Sequence, residues 1–197
     1  MNMELIKQID KHEMLRRWAI SEVYVDLLND FDSFELEETL FMLLGKDPEK
    51  EEEGIKRALK THHISLVDCL PDDVTWYLAL LKINQQEFNL LRSLPVPDLG
   101  RVTNNTYKIP YGARIINQKR SLNLRISSIM KNFRKGKQHV QLSGITLLGK
   151  GVEGPFTIIE GNGRLISLYQ VLFNEQRSIS FHNNKLEVVL GLSDKDL

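Results

Sequence analysis

"PFTIIEGNGRLISLYQ", residues 155–170, changes its hydrophobic period halfway along. Phe156–Ile159 is an apolar run of strand formers ending at an acid, Glu160. Gly161, Asn162, Gly163 and Arg164 follow, and then Leu165, Ile166, Leu168 and Tyr169 recur at helical spacing. The stretch therefore predicts strand, glycine turn, helix. A helix start presents unpaired N–H groups and partial positive charge. Glycines let a ligand approach those donors, and Arg164 adds a bidentate fork. Together Gly161, Asn162, Gly163 and Arg164 predict an anion site suited to phosphate. Glu160 beside it can take a proton or hold a metal ion, and Asn162 can orient a ligand. A purely structural reading stands next to this one: a sharp turn closed by a Glu160–Arg164 ion pair.

Working outward, Ile145–Leu148 reads as a second strand joined to the first by the glycine-rich Gly149–Gly154. A last strand is predicted at Leu186–Leu190, and an earlier one at Val74–Leu81 after the turn Leu70-Pro71-Asp72-Asp73. Asn84 is placed to cap a short helix over 85–93. Residues 94–112 read as loop, and 113–133 as a basic amphipathic helix with Ile115, Ile116, Leu122, Ile126, Ile129, Met130 and Phe133 on its apolar side.

The N-terminal part reads as helical. Leu15, Trp18, Ala19, Val23, Leu27 and Leu28 mark an apolar face on a helix over roughly 4–30. Asp32 with Glu35 predicts a second helix stopped by Gly45. Asp47-Pro48, followed by four glutamates, predicts a third helix reaching about Thr61. Trp18 and Trp76 read as core anchors. The expected fold is α+β: an N-terminal helical segment over 1–67 and a small mixed-sheet core over 70–197.

The 197 residues carry 26 basic and 26 acidic side chains, but the charge is unevenly placed. Residues 101–152 hold 11 Lys and Arg and no acid, whereas residues 1–100 hold 11 against 20 acids. A basic run without acids raises the local positive potential and suits phosphates. Arg114, Lys119, Arg120 and Arg125 are expected to line the approach to the turn. No window approaches ~18 uninterrupted apolar residues, so no membrane span is predicted. The one cysteine, Cys69, excludes internal disulfides, reads as a small buried apolar residue and points to a reducing cytoplasm. His12, His62, His63, His139 and His182 lack the spacing of a helical metal pair. His139 stands out because it lies in the basic run.

The order of elements over roughly 75–192, with Ile158-Ile159-Glu160-Gly161-Asn162-Gly163-Arg164 at the turn, resembles the ParB/sulfiredoxin-like superfamily. There an apolar strand ending in [DE]-G-x-x-R leads into a helix. The resemblance implies nucleotide or nucleic-acid phosphate bound at that turn, by a nuclease, an NTPase or a phosphotransferase. It also admits a non-catalytic nucleotide- or DNA-binding regulatory module. Under the first of these Glu160 is base or metal ligand, with Mg²⁺ as the natural cation. Under the second, the turn senses a nucleotide or DNA and the N-terminal helices dock a protein partner. Sulfinate reduction is set aside, because Asn162 stands where sulfiredoxins have cysteine.

Two other motifs compete. "GPFTIIEGNGR" is similar to the Fic-domain motif of AMP transferases, but Gly154 stands in place of the base histidine and a strand is predicted where Fic proteins have a helix. "GITLLGKG", 144–151, nearly fits a P-loop, but Gly151 replaces the magnesium-binding hydroxyl and a strand is predicted across its loop.

Overall fold

The computed structural model describes residues 3–27, 33–59, 61–135 and 140–195, the side chains of 61–63 excepted. Asp32 and His139 lie outside the described residues, as do the side chains of His62 and His63.

The centre of the fold is a six-stranded mixed sheet: β1 Glu4–Ile9, β2 Thr75–Lys82, β3 Leu91–Ser93, β4 Thr146–Gly149, β5 Phe156–Glu160 and β6 Lys185–Leu192. Their spatial order is β1-β2-β6-β4-β5-β3. β2 and β6 pair antiparallel over eight residues, from Thr75 opposite Leu192 to Lys82 opposite Lys185. β4 runs parallel to β6 and antiparallel to β5, and β3 runs parallel to β5. The fold class is α+β, as expected.

Alternation along the strands builds two cores. In β2, Trp76 and Leu78 enter one core, and Ala79 and Leu81 the other. In β5, Phe156 and Ile158 face the second core and Ile159 the first. Both sheet faces are therefore covered. Each fully buried side chain of this kind stabilises by about 1.5–3 kcal/mol. One face carries α1 Lys11–Leu27, α2 Ser33–Leu44, α3 Pro48–Ala58 and α4 Thr61–Asp68, through Trp18, Val23, Leu43, Ile55 and Val67. The other carries α7 Ile109–Gln118, α8 Leu124–Arg134 and α9 Asn162–Tyr169. Short helices α5 Gln85–Phe88 and α6 Pro97–Thr103 lie in the connection from β2 to α7.

Several expectations are corrected. Residues 4–9 form an exposed edge strand, not the start of a helix, because Asp10 accepts from the Glu13 N–H at 2.7 Å and starts α1 there. The third helix ends at Ala58, and α4 follows. The expected loop over 94–112 holds α6 and the start of α7, each with proline in its first turn. The single helix over 113–133 is two helices, broken at a 3₁₀ turn over Arg120–Leu122. Asn123 restarts the second by accepting from the Ile126 N–H at 2.9 Å. Residues 91–93, expected in a helix, form β3. Cys69 is exposed, not buried. Trp18 and Trp76 are buried, as read.

The helical N-terminal segment is built into the core. Gly144 takes φ +78° against α1, where an added Cβ would stand 2.2 Å from the Arg17 carbonyl oxygen. No side chain fits without moving the α1 backbone. Gly144→Ala is expected to cost more than about 2 kcal/mol in urea melts. An unchanged midpoint would mean that α1 does not rest on this loop.

Candidate functional site

β5 ends at Glu160, opposite Thr146 of β4, and Gly161 turns the chain at φ +97° into α9. That conformation and the 2.8 Å from a built Cβ to Ile145 both require glycine here. At Gly163 a Cβ would stand 3.2 Å from Ile126, so its absence lets α8 approach α9. Ser167 Oγ ties the same helices by donating to the Ile126 carbonyl at 3.2 Å. The first turn of α9 has no side-chain cap. Asn162 Nδ2 bonds back to the Ile158 carbonyl at 3.3 Å, and its buried Oδ1 has no partner among the described residues.

Arg164 is 1% exposed and points inward. Its Nη1 donates to the Gln141 carbonyl at 3.1 Å and the Ser143 carbonyl at 2.8 Å, and Nη2 donates to Glu160 Oε1 at 3.0 Å. Its Nε is buried without a partner among the described residues. The guanidinium thus joins the β5–α9 turn to the segment leading into β4. The expected role of Arg164 as a phosphate ligand is corrected by this geometry: both terminal nitrogens hold protein oxygens.

A side chain missed by the sequence reading completes the site. Glu22 of α1, 4% exposed, hydrogen-bonds the Glu160 carboxyl. Arg125 Nη2 contacts Glu22 at 2.7 Å and Asp26 at 3.4 Å. Burial pushes the Glu160 pKa up to about 8, and the Glu22 carboxylate adds to the rise against the opposing pull of Arg164. The two carboxyls therefore share a proton at neutral pH. A signal for Glu22 was present: it sits four residues after Trp18, on the same apolar face of α1. A cavity of about 170 Å³ opens on this group, lined by Glu22, Asn123, Arg125, Glu160, Asn162 and Arg164 among others.

Of the four expected basic residues, the structure brings only Arg125 to the turn. Arg114, Lys119 and Arg120 lie on α7 and the 3₁₀ turn, along separate cavities. The Mg²⁺ expected on Glu160 finds a poor donor set. Among the described residues no three His, Cys, Asp or Glu side chains come together as metal ligands, and Glu160 already accepts from Arg164. The Fic-like and P-loop alternatives fail on backbone grounds, because Phe156–Glu160 and Thr146–Gly149 are strands. Among the described residues no helix is long and apolar enough to cross a membrane. Compared with protein-family models, curated proteins and solved structures, the chain has no match.

Two outcomes test this site. Folded chains hold the Glu160 proton up to about pH 8, whereas unfolded chains release it near the ordinary carboxyl value. The unfolded state binds fewer protons across that window, so stability falls as pH rises through it. Urea melts should lose roughly 1.4 kcal/mol per pH unit between about pH 5.5 and 7.5, and Glu160→Gln should remove most of that slope. Arg164→Ala, which strands a buried carboxyl and two carbonyls, should cost about 3–5 kcal/mol. Arg164→Ala with wild-type stability would show that the guanidinium holds nothing together.

Proposed function

We propose that the chain binds the phosphate of a nucleotide or nucleic acid at the 160–164 turn, as a non-catalytic binding module. One observation carries this reading: the first turn of α9, with no side-chain cap, opens on a cavity lined by Asn162, Gly163 and Arg125. The cavity has room for a phosphate group, while sugar and base stay outside. Backbone N–H groups of Asn162 and Gly163 take the phosphate oxygens. Arg125, half exposed, turns from Asp26 to the ligand. Arg164 is a positioning residue that holds the turn in place from behind. The shared proton on Glu22 and Glu160 keeps the pocket from repelling the anion. The ParB/sulfiredoxin-like resemblance of the EGNGR motif agrees with this reading. Phe41 and Leu44, exposed on α2, support a protein partner on the N-terminal helices.

A catalytic reading, as nuclease, NTPase or phosphotransferase, draws on the same carboxyl pair. Glu160 holds its proton at neutral pH, which suits a general acid to a leaving oxygen and not a base. No step is routed through Mg²⁺, since the residues do not form its site.

Thermal-shift titrations with inorganic phosphate, nucleotides and short DNA test the binding. A rise in Tm that weakens as pH climbs past about 8 is expected for wild type, because the ionised carboxyls then oppose the phosphate. Glu160→Gln should keep its shift at high pH. No shift with any of these ligands would remove the proposal, and product formed from a nucleotide would favour the catalytic reading.

A further inference from the structure

Away from the turn, about 10 Å along α9, the acid-free part of the chain forms a second surface. A cavity of about 540 Å³ is lined by Tyr111, Arg114, Asn117, Gln118, Gln170 and Asn174 among others. Arg114 stacks over the Tyr111 ring at 5.1 Å from its centroid, and that ring is 38% exposed. A π-helical turn over Gln170–Asn174 forms one wall. Such turns are rare and recur at functional sites. Asn174 Nδ2 bonds Gln170 Oε1 at 2.7 Å, which fixes that wall. On the opposite wall, Asn117 Oδ1 accepts from Arg134, and the Gln118 amide has no hydrogen bond among the described residues.

The cavity continues into a basic strip. Asn117 and Gln118 also line the next depression, with Lys119 and Arg120. Arg120 in turn lines a third, with Ser127, Ser128 and Lys131. Lys119, Arg120 and Lys131 form no ion pair among the described residues, in contrast to Arg125 and Arg134. Glu175, a carboxylate at the edge, is paired with Arg134 and Arg177. An aromatic–guanidinium stack beside a free amide, followed by a row of unpaired cations, matches the chemistry of an unpaired nucleotide and the strand that follows it. Bases stack on tyrosine and on guanidinium planes, and amides bond base edges. Duplex bases are buried in their own stack and cannot reach such a ring.

We propose that the α7–α8 strip binds single-stranded nucleic acid, with one base on the Tyr111–Arg114 stack, its edge on Gln118, and phosphates on Lys119, Arg120 and Lys131. This surface goes beyond the reading of the turn and is tested apart from it.

Fluorescence anisotropy with a labelled oligo-dT of about twenty residues, and with the matching duplex, measures the binding. Oligo-dT should bind more tightly than duplex. Three phosphate contacts give a log–log salt slope near −2 over about 50–300 mM salt. Lys119→Ser with Arg120→Ser, both exposed, should flatten the slope to about −0.7. Tyr111→Ala should weaken oligo-dT binding roughly 5- to 150-fold, and Tyr111→Phe should preserve it. Equal affinity for duplex, an unaffected Tyr111→Ala variant, or no binding of oligo-dT at low salt would each overturn the strip. Oligo-dT binding that survives in a protein blind to phosphate and free nucleotides would uphold the strip and remove only the proposal for the turn.

Discussion

Between α1, the approach to β4 and the β5–α9 turn lies one buried network: Glu22, Glu160 and Arg164, with Arg125 at its mouth. Desolvation opposes every charge in it. The chain meets this in two ways. Arg164 places its terminal nitrogens on two carbonyls and a carboxyl. Glu160 gives up its own charge by keeping a proton that Glu22 helps to hold. The network in turn sets where the N-terminal helices sit, because Glu22 belongs to α1 and the 141–144 segment rests on the same helix. A small core sheet with one face still open would need such an anchor, since helices of this length gain most of their stability from packing.

The sequence's charge division has a structural outcome in two parts. Arg125 turns inward to neutralise α1 acids. Arg114, Lys119, Arg120 and Lys131 stay on the outer surface of α7 and α8, and only Arg114 is engaged, by Tyr111. The helix start at Asn162 and the basic strip are thus separate features that the linear sequence runs together. The turn's cavity and the Tyr111–Arg114 cavity lie toward opposite ends of α9.

Much of the sheet was legible. β2, β4, β5 and β6 combine strand formers with bounding turns, and their two-faced burial explains why each is an apolar run. The EGNGR turn was legible as strand, tight glycine and helix start, because Gly161 alone satisfies its backbone angle. β1 was not legible: its Glu4–Ile9 side chains are nearly all exposed, so no period marks it. β3, three residues long, was masked by the helix signal of Asn84. The break between α7 and α8 was hidden because Ile115, Leu122 and Ile126, spaced by seven and eleven residues from Ile115, keep one apolar face in phase across it. At the site, the ion pair of Glu160 and Arg164 was legible from spacing, but the inward aim of Arg164 was not. It depends on the carbonyls of Gln141 and Ser143, some twenty residues upstream. Glu22 is a hundred residues further from the turn, and only the fold brings it there.

The shared proton is the centre of this account, and it can be observed directly. Carboxyl carbon shifts of ¹³C-labelled glutamate, followed by NMR from acid to mildly alkaline pH and assigned with Glu160→Gln, report its titration. Glu160 should titrate near pH 8, with a second apparent step from its coupling to Glu22. Titration of Glu160 with the exposed glutamates would mean that the turn is open to water and the buried network does not exist.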